Sequence, residues 1–417
     1  MKTSKSILYT FLLSLSIAIF LSCSNDDNGP GIDPNQEIIL ATFDYSNLSV
    51  NSVPNMFIAN NAEGEILATV ETNKVPGVYT LTAKGYTSNS FMLTTLLETD
   101  SYKGLITIKD VPVGSSAIAP NRHPTRNGSI KFTLNLTGAT RIRLFVYGLK
   151  SRTSTDGVDP LTSAPTKTYE YNKEGSGDKI LLKIRYKPND VDPEVYGYTW
   201  IDNYKEIENR TLSFADFNIV PTSTITVNDT SDGSRTDLYA IYDTNRSVNL
   251  EGDFSQYLKI TEGFEYYLTY YEASYPNNVH HSKAIKTNVF PEIVSVTKPD
   301  WNFSYTSTSN SLQVQPSGIY LCTNIRTEII NPAAKNLSWH ITIPNNGANK
   351  ITLPQLPESL SDYTNYFEDT SRFEDNSADL INLSNDFNYA DYIKDAIDRT
   401  YELEEQNGES ISIRFTP

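Results

Sequence analysis

Cysteine is almost missing from this chain: Cys23 and Cys322 are the two in 417 residues. That excludes a fold held by several disulfides and a zinc site built on C-x-x-C spacing. Histidine is nearly as scarce (His123, His280, His281 and His340), and no H-E-x-x-H run occurs. The adjacent His280 and His281 form the best pair, but neighbouring strand residues point to opposite faces, so the two could share an ion only from a loop. Cations are in deficit, with 34 Lys and Arg against 50 Asp and Glu and a net charge of −16. An acidic surface without a basic cluster repels phosphate backbones, which argues against nucleic-acid binding and against electrostatic attachment to anionic lipid. No G-x-S-x-G, Walker or kinase signature is present. Asn228-Asp229-Thr230-Ser231-Asp232-Gly233 offers oxygen ligands but lacks the later bidentate glutamate of a calcium loop, so it reads as a turn. No catalytic residue, metal ligand or cofactor is expected from these patterns. Paired carboxylates of a hydrolase stay open, because two acids that meet in space leave no spacing in sequence.

Long apolar runs are also rare. The one that stands out is Ile7 to Leu21, preceded by Lys2 and Lys5 and ended by Phe20-Leu21-Ser22-Cys23. It is short for a bilayer-spanning helix, which needs roughly twenty apolar residues. Positive start, apolar middle and small residue before cysteine make residues 1–22 a signal peptide. The last four resemble a lipobox, with Phe20 where leucine is commonest. That resemblance implies diacylglycerol on Cys23, followed by amine acylation, enough chains for a stable anchor. Ser24-Asn25-Asp26-Asp27-Asn28, directly behind Cys23, is similar to the surface-export signal of Bacteroidota lipoproteins. It implies a lipid-anchored protein of the outer membrane, displayed at the cell surface. Residues 23–36 are polar and rich in Gly, Pro and Asn, a flexible acidic tether.

What the chain has in plenty is tyrosine, 27 residues against three tryptophans and three methionines. From Glu37 short apolar runs alternate with turn residues about every ten positions, the rhythm of β-sandwiches. Ala62-Glu63-Gly64-Glu65 reads as a hairpin loop whose glycine can take positive φ. The phrases Val75 to Tyr86 and Ile106 to Gly114 resemble strand-turn-strand pieces of prealbumin-like and carboxypeptidase-regulatory-like modules, which implies spacers or binding platforms. Ala119 to Gly128 reads as a linker and Ser151 to Thr166 as a long polar loop. Near the end Tyr389, Tyr392, Ile393, Ala396, Ile397 and Leu403 recur at helical spacing, with Asn385, Asp386 or Asn388 as caps; a closing strand, Ser410 to Phe415, follows. The expected fold is therefore all-β, with two or three tandem β-sandwich domains of Ig or prealbumin type and one amphipathic helix near the C-terminus. Boundaries fall at 37–118, 119–290 and 291–417, the last stretch being either a third domain or part of the second.

From Glu358 onward fifteen acids face Arg372, Lys394, Arg399 and Arg414. This reads as a solvated face ahead of a cation or basic-partner surface. Cys322, in an apolar strand, reads as a buried inert thiol.

Aromatic clustering gives the binding candidates. Gly263 to Tyr271 resembles the tyrosine corner of fibronectin-type strands, where a hydroxyl bonds back to the preceding loop. Alternation puts Phe264, Tyr266, Leu268 and Tyr270 on one face and Tyr267, Thr269 and Tyr271 on the other. Tyr267, Tyr271 and Tyr275, with Tyr198 and Trp200, are the candidate ligand-binding rings, since flat apolar faces with polar tips suit sugars or peptides. The leading expectation is a non-enzymatic binding or scaffolding lipoprotein whose partners are the membrane, through its anchor, and a glycan or protein. A carbohydrate-active hydrolase and an adhesin or assembly subunit are the alternatives.

Overall fold

The computed structural model describes residues 34–118, 126–135, 141–148, 155–156, 166–174, 179–189, 191–206, 208–229, 231, 233–243, 246–251, 256–330, 335–384, 386–398 and 408–415. Cys23, the signal peptide, most of the tether, His123 and Leu403 lie outside them. The fold is all-β, as expected. Two compact units make up the chain, Met1–Ile38 with Ala83–Thr87, and Ile39–Thr82 with Ser88–Pro417. In the first, the Gly85 N–H donates to the Gln36 carbonyl at 2.9 Å, and Gly85 sits at φ +60°, a conformation glycine adopts without strain.

The second unit is organised by one twelve-stranded sheet. Its order is Arg246–Asn249, Gly233–Asp243, Tyr266–Tyr275, Val279–Thr287, Gly408–Arg414, Asp375–Leu383, Cys322–Ile329, Asn336–Pro344, Tyr102–Pro112, Ser90–Glu98, Met56–Asn60 and Ile66–Glu71. Each of the stretches 37–118, 119–290 and 291–417 contributes four consecutive strands to it. Backbone hydrogen bonds cross both boundaries. Val279–Thr287 pairs antiparallel with Gly408–Arg414, and Tyr102–Pro112 pairs parallel with Asn336–Pro344. The parallel seam requires a long connection and escapes local sequence patterns.

Smaller layers cover this sheet. Met56–Asn60 is buried at all five positions, which alternation alone does not suggest. Phe57 stacks on Phe43 of Glu37–Asp44 at 4.2 Å between centroids. Ile58 packs oppositely, with Leu105, Trp339, Leu312 and Ile351. Under the parallel seam the 3-10 helix Glu358–Tyr363 and the residues after it supply a tyrosine staple. The Tyr363 hydroxyl donates to the carbonyls of Lys103 and Ser338, one on each strand. The Tyr366 hydroxyl reaches Thr327 and Leu337 carbonyls at 3.2 and 3.3 Å.

The C-terminal helix forms at Tyr389–Asp398. Its cap is Asn388, whose Oδ1 accepts from the Ala390 N–H at 2.8 Å while Asp391 accepts from the Asn388 N–H at 2.9 Å, a reciprocal box. Its Tyr392 packs with Phe387 and Tyr389 against Ile381, Leu383 and the buried Cys322. The Gly64 turn forms at φ +88°; a Cβ there would meet the Leu353 carbonyl at 2.5 Å. Two sequence boundaries shift. Arg126–Asn135 is already strand within the expected linker, and Thr155–Asp156 pairs with Arg141–Gly148 inside the expected loop.

Candidate functional site

The candidate rings do not form one platform. Tyr267 is 3 % exposed and Tyr271 fully buried. The Tyr267 hydroxyl donates back to the Ile260 carbonyl at 2.8 Å, a bond of the kind the tyrosine-corner resemblance implies. Tyr198 and Tyr196 share its buried cluster, with Trp200 and Phe264 at the margin. Tyr267 thus shares one core with Tyr196 and Tyr198, whereas Tyr271 and Tyr275 belong to another with Val294 and Val296. Trp200 sits edge-on to Tyr242 and Phe264, with the Lys179 ammonium 4.4 Å from its ring centroid. Tyr275 is half-buried, its hydroxyl 3.3 Å from that of Tyr271. The Tyr271 hydroxyl also donates to Asp229 Oδ2 at 2.7 Å, while Ser231 Oγ donates to the other oxygen at 2.9 Å. Asp229 is therefore a turn anchor. Burial works to raise its pKa, but these bonds outweigh that and hold it below the ordinary carboxylate value.

Partly exposed rings also stand on the opposite face of the same strand. Tyr266 and Tyr270 are half-buried there and flank Leu268, which is itself buried. Register places Tyr239 opposite Leu268 on one side and Lys286 opposite it on the other. Tyr239 and Tyr270 meet edge-to-face at 5.3 Å, and the Lys286 ammonium stands 3.8 Å from the Tyr266 centroid. Three rings and a lysine stem therefore roof a leucine, leaving aromatic surface outward. Arg235, paired with Asp237 at 3.0 Å, and Glu272 lie at one end of this face. Alternation separated Tyr266 and Tyr270 from Tyr267 and Tyr271, but which set faced solvent depended on the layer behind the sheet. Tyr239 carried no sequence signal, since it reaches this face only through strand pairing.

A small concavity, open to solvent, lies where the parallel seam ends. Past Ile108 and Thr342 the paired strands diverge. Lys109 and Asp110 form a bulge opposite Met92, with Asp110 at φ +57°. Phe303, Val314 and Ile351 supply apolar walls, and Lys109, Asp110 and Asn345 polar ones. Asp110 is the one carboxylate in that lining.

The adjacent histidines separate as strand geometry requires. His280 is exposed, with Nδ1 3.0 Å from Ser274 Oγ. His281 is buried and bonds Glu409 at 3.0 Å, where Lys283 also donates at 3.1 Å. Burial pushes the Glu409 carboxyl upward, but these two partners together hold it below the ordinary glutamate value. Its stabilising contribution is complete above the unfolded pKa and lost as pH falls through the lower folded one. Glu409→Gln should lower stability by about 1–3 kcal/mol at neutral pH. In urea melts the gap from the parent should close toward pH 3; a constant gap would mean that packing, not charge, is lost.

No family model matches the chain, and no curated protein matches it. Solved structures resemble it only distantly. A Ca2+-stabilised adhesin with which an Antarctic bacterium binds ice is 7 % identical, covering 81 % of this chain and 88 % of its own, at a TM-score of 0.14. Trypsin-activated alpha-2-macroglobulin from Escherichia coli is 10 % identical over 87 % of this chain and 30 % of its own, at 0.13. Salmonella alpha-2-macroglobulin reacted with methylamine is 10 % identical over 84 % and 27 %, at 0.14. The chain thus spans under a third of either macroglobulin. Similarity this low assigns no function.

Proposed function

We propose that this protein is a non-enzymatic binding lipoprotein, held at the outer face of the cell by lipid on Cys23, that presents the Tyr239–Tyr266–Tyr270 face to glycans. One observation carries the reading. Half-buried tyrosine rings stand on the sheet beside Lys286 and are edged by Arg235, Asp237 and Glu272. Sugar rings have apolar C–H faces that lie on aromatic rings and hydroxyls that bond charged groups at a rim. The leader and Cys23 supply the address, since acylation at that thiol retains an exported chain at a membrane.

A glycan array probed with the full protein tests the reading. Binding is expected, and Tyr266→Ala with Tyr270→Ala should weaken it at least about tenfold, a loss of about 1.4 kcal/mol. Tyr275→Ala, on the other face, should leave it within about twofold. An array without any bound glycan would remove the glycan; Cys23→Ser still fractionating with membranes would remove the anchor.

A further inference from the structure

The face that carries Tyr239, Tyr266 and Tyr270 continues across four more strands of the large sheet. Register sets Ala284 opposite Tyr270, Ser282 opposite Glu272 and Ser410 opposite Ser282. Ser412 stands opposite His280, and Asp379 opposite Ser412. Side-chain bonds between strands show that these groups share one face. Ser274 Oγ lies 3.0 Å from His280 Nδ1, Ser282 Oγ lies 2.7 Å from Ser410 Oγ, and Arg326 pairs with Asp379 at 2.8 Å. Farther across, the helix Tyr389–Asp398 lies on the same face. There Tyr392 packs with Cys322 and Ile381, and its hydroxyl accepts from Asn324 Nδ2 at 2.7 Å. Ala284, Ser282, Ser410 and Ser412 are thus small, partly exposed side chains between two walls. Tyr270 and Glu272 form one wall, and Asp379, Arg326 and the helix the other. The strands beneath these walls, Tyr266–Tyr275 and Asp375–Leu383, are three spacings apart, about 14 Å. Along the strand, Tyr266 to Ser274 covers about 27 Å, with the tyrosines at one end and Ser274 and His280 at the other. The result is a shallow trough floored by hydroxyls.

We propose that this trough holds a linear, uncharged polysaccharide lying along the strands, its sugars stacked on Tyr266 and Tyr270 at one end and bonded to the serine hydroxyls beyond them. The inference rests on the glycan reading above and names the class of glycan, a chain of several sugars instead of a single terminal one. Two features select that occupant. Each strand under the trough is bonded on both sides, so no backbone edge is free to take a peptide as an added strand. The charges on the face are also matched. Arg235 pairs with Asp237 at 3.0 Å, Arg326 with Asp379 at 2.8 Å and Arg414 with Asp375 at 3.4 Å. Lys286 and Glu272 offset each other. A polyanion gains nothing from such a face and meets a chain of net charge −16. Serine hydroxyls, which both donate and accept, match the hydroxyls of a neutral sugar chain.

Isothermal titration of the full protein in a sugar-free detergent tests the proposal. The probes are ladders of two to six sugars from cellulose, xylan, mannan and chitin, with polygalacturonate as the charged control. For at least one ladder, affinity should rise at least about tenfold from the disaccharide to the hexasaccharide, and polygalacturonate should not bind. Ser410→Phe fills the floor without replacing a tyrosine, so it should erase that gain while the disaccharide still binds. Tyr270→Ala should weaken both. Ser410→Ala leaves the trough open and should keep most of the gain, which separates filling from misfolding; circular dichroism checks each variant. Ser304→Phe, exposed on a smaller sheet, should change neither affinity by more than about twofold. Equal affinity along every ladder, or a Ser410→Phe variant that keeps the gain, overturns the trough and leaves the tyrosine site standing. Binding of polygalacturonate overturns the uncharged class. Failure of every ladder also overturns the trough; the glycan reading survives that result if the array still finds a bound glycan and falls with it if the array is empty.

Discussion

Trp339→Ala should destabilise the protein by about 3–5 kcal/mol, the largest effect expected of one substitution in the described core. Trp339 is 3 % exposed and stands on Asn336–Pro344, the strand at the parallel seam. Its ring contacts Tyr363, Tyr366 and Phe367 at 5.7, 5.9 and 5.3 Å between centroids. Its Nε1–H donates to Thr107 Oγ1 at 2.9 Å, across the seam. Truncation leaves a cavity beside the tyrosine staple and removes one side-chain bond between the two strands. Urea unfolding at neutral pH reads the change. Trp339→Phe refills most of the volume, so it should recover more than half of the loss; equal losses for both variants would show that the hydrogen bond, not the packing, governs this seam.

Stability should rise between pH 7 and pH 10, and Lys183 should be the cause. Burial pushes its ammonium down to about 7 from 10.5, with Glu251 opposing the shift and Arg185 adding to it. A lysine whose folded pKa lies below its unfolded one binds fewer protons in the native state across that interval. Unfolding then takes up a proton, so raising the pH favours the fold, by at most about 1.4 kcal/mol per unit. Below pH 7 both states carry the proton and the slope from this group vanishes. Above pH 10 the buried tyrosines act oppositely. Burial holds Tyr267 and Tyr305 above the ordinary phenol value, so the native state keeps protons that the unfolded chain has lost. Urea midpoints from pH 6 to 10 should climb in the parent and flatten in Lys183→Met. An equal climb in both would assign the dependence to other groups. The sign of the substitution at pH 7 is a separate matter, because methionine avoids the buried charge but leaves the Asn249 and Glu251 carbonyls unpaired.

Local signals in this chain were read correctly where one segment decides its own conformation. Helical spacing over Tyr389 to Ile397 with Asn388 ahead of it specified a capped amphipathic helix, and one formed. Gly64 between two apolar runs specified a turn, and its positive φ follows. Cys322 in an apolar strand specified burial. Each depends on neighbours within a few residues. The aromatic candidates mark the limit. Tyr266, Tyr267, Tyr270 and Tyr271 are alike by composition and alternate by geometry, yet Tyr267 is buried with Tyr196 and Tyr198, some seventy residues earlier, and Tyr271 with Val294 and Val296, later in the chain.

The all-β class, the C-terminal helix and the Gly64 turn were legible in the sequence, because backbone propensity and side-chain period are local properties. Only the folded chain brings three four-stranded blocks into one sheet, sets the Lys183 ammonium against the Asn249 and Glu251 carbonyls, and sorts the tyrosines between the two faces. Pairing between strands more than two hundred residues apart, as at Leu105 and Trp339, leaves no periodic trace in either segment. It is set by which surfaces exclude water best when the whole chain has collapsed.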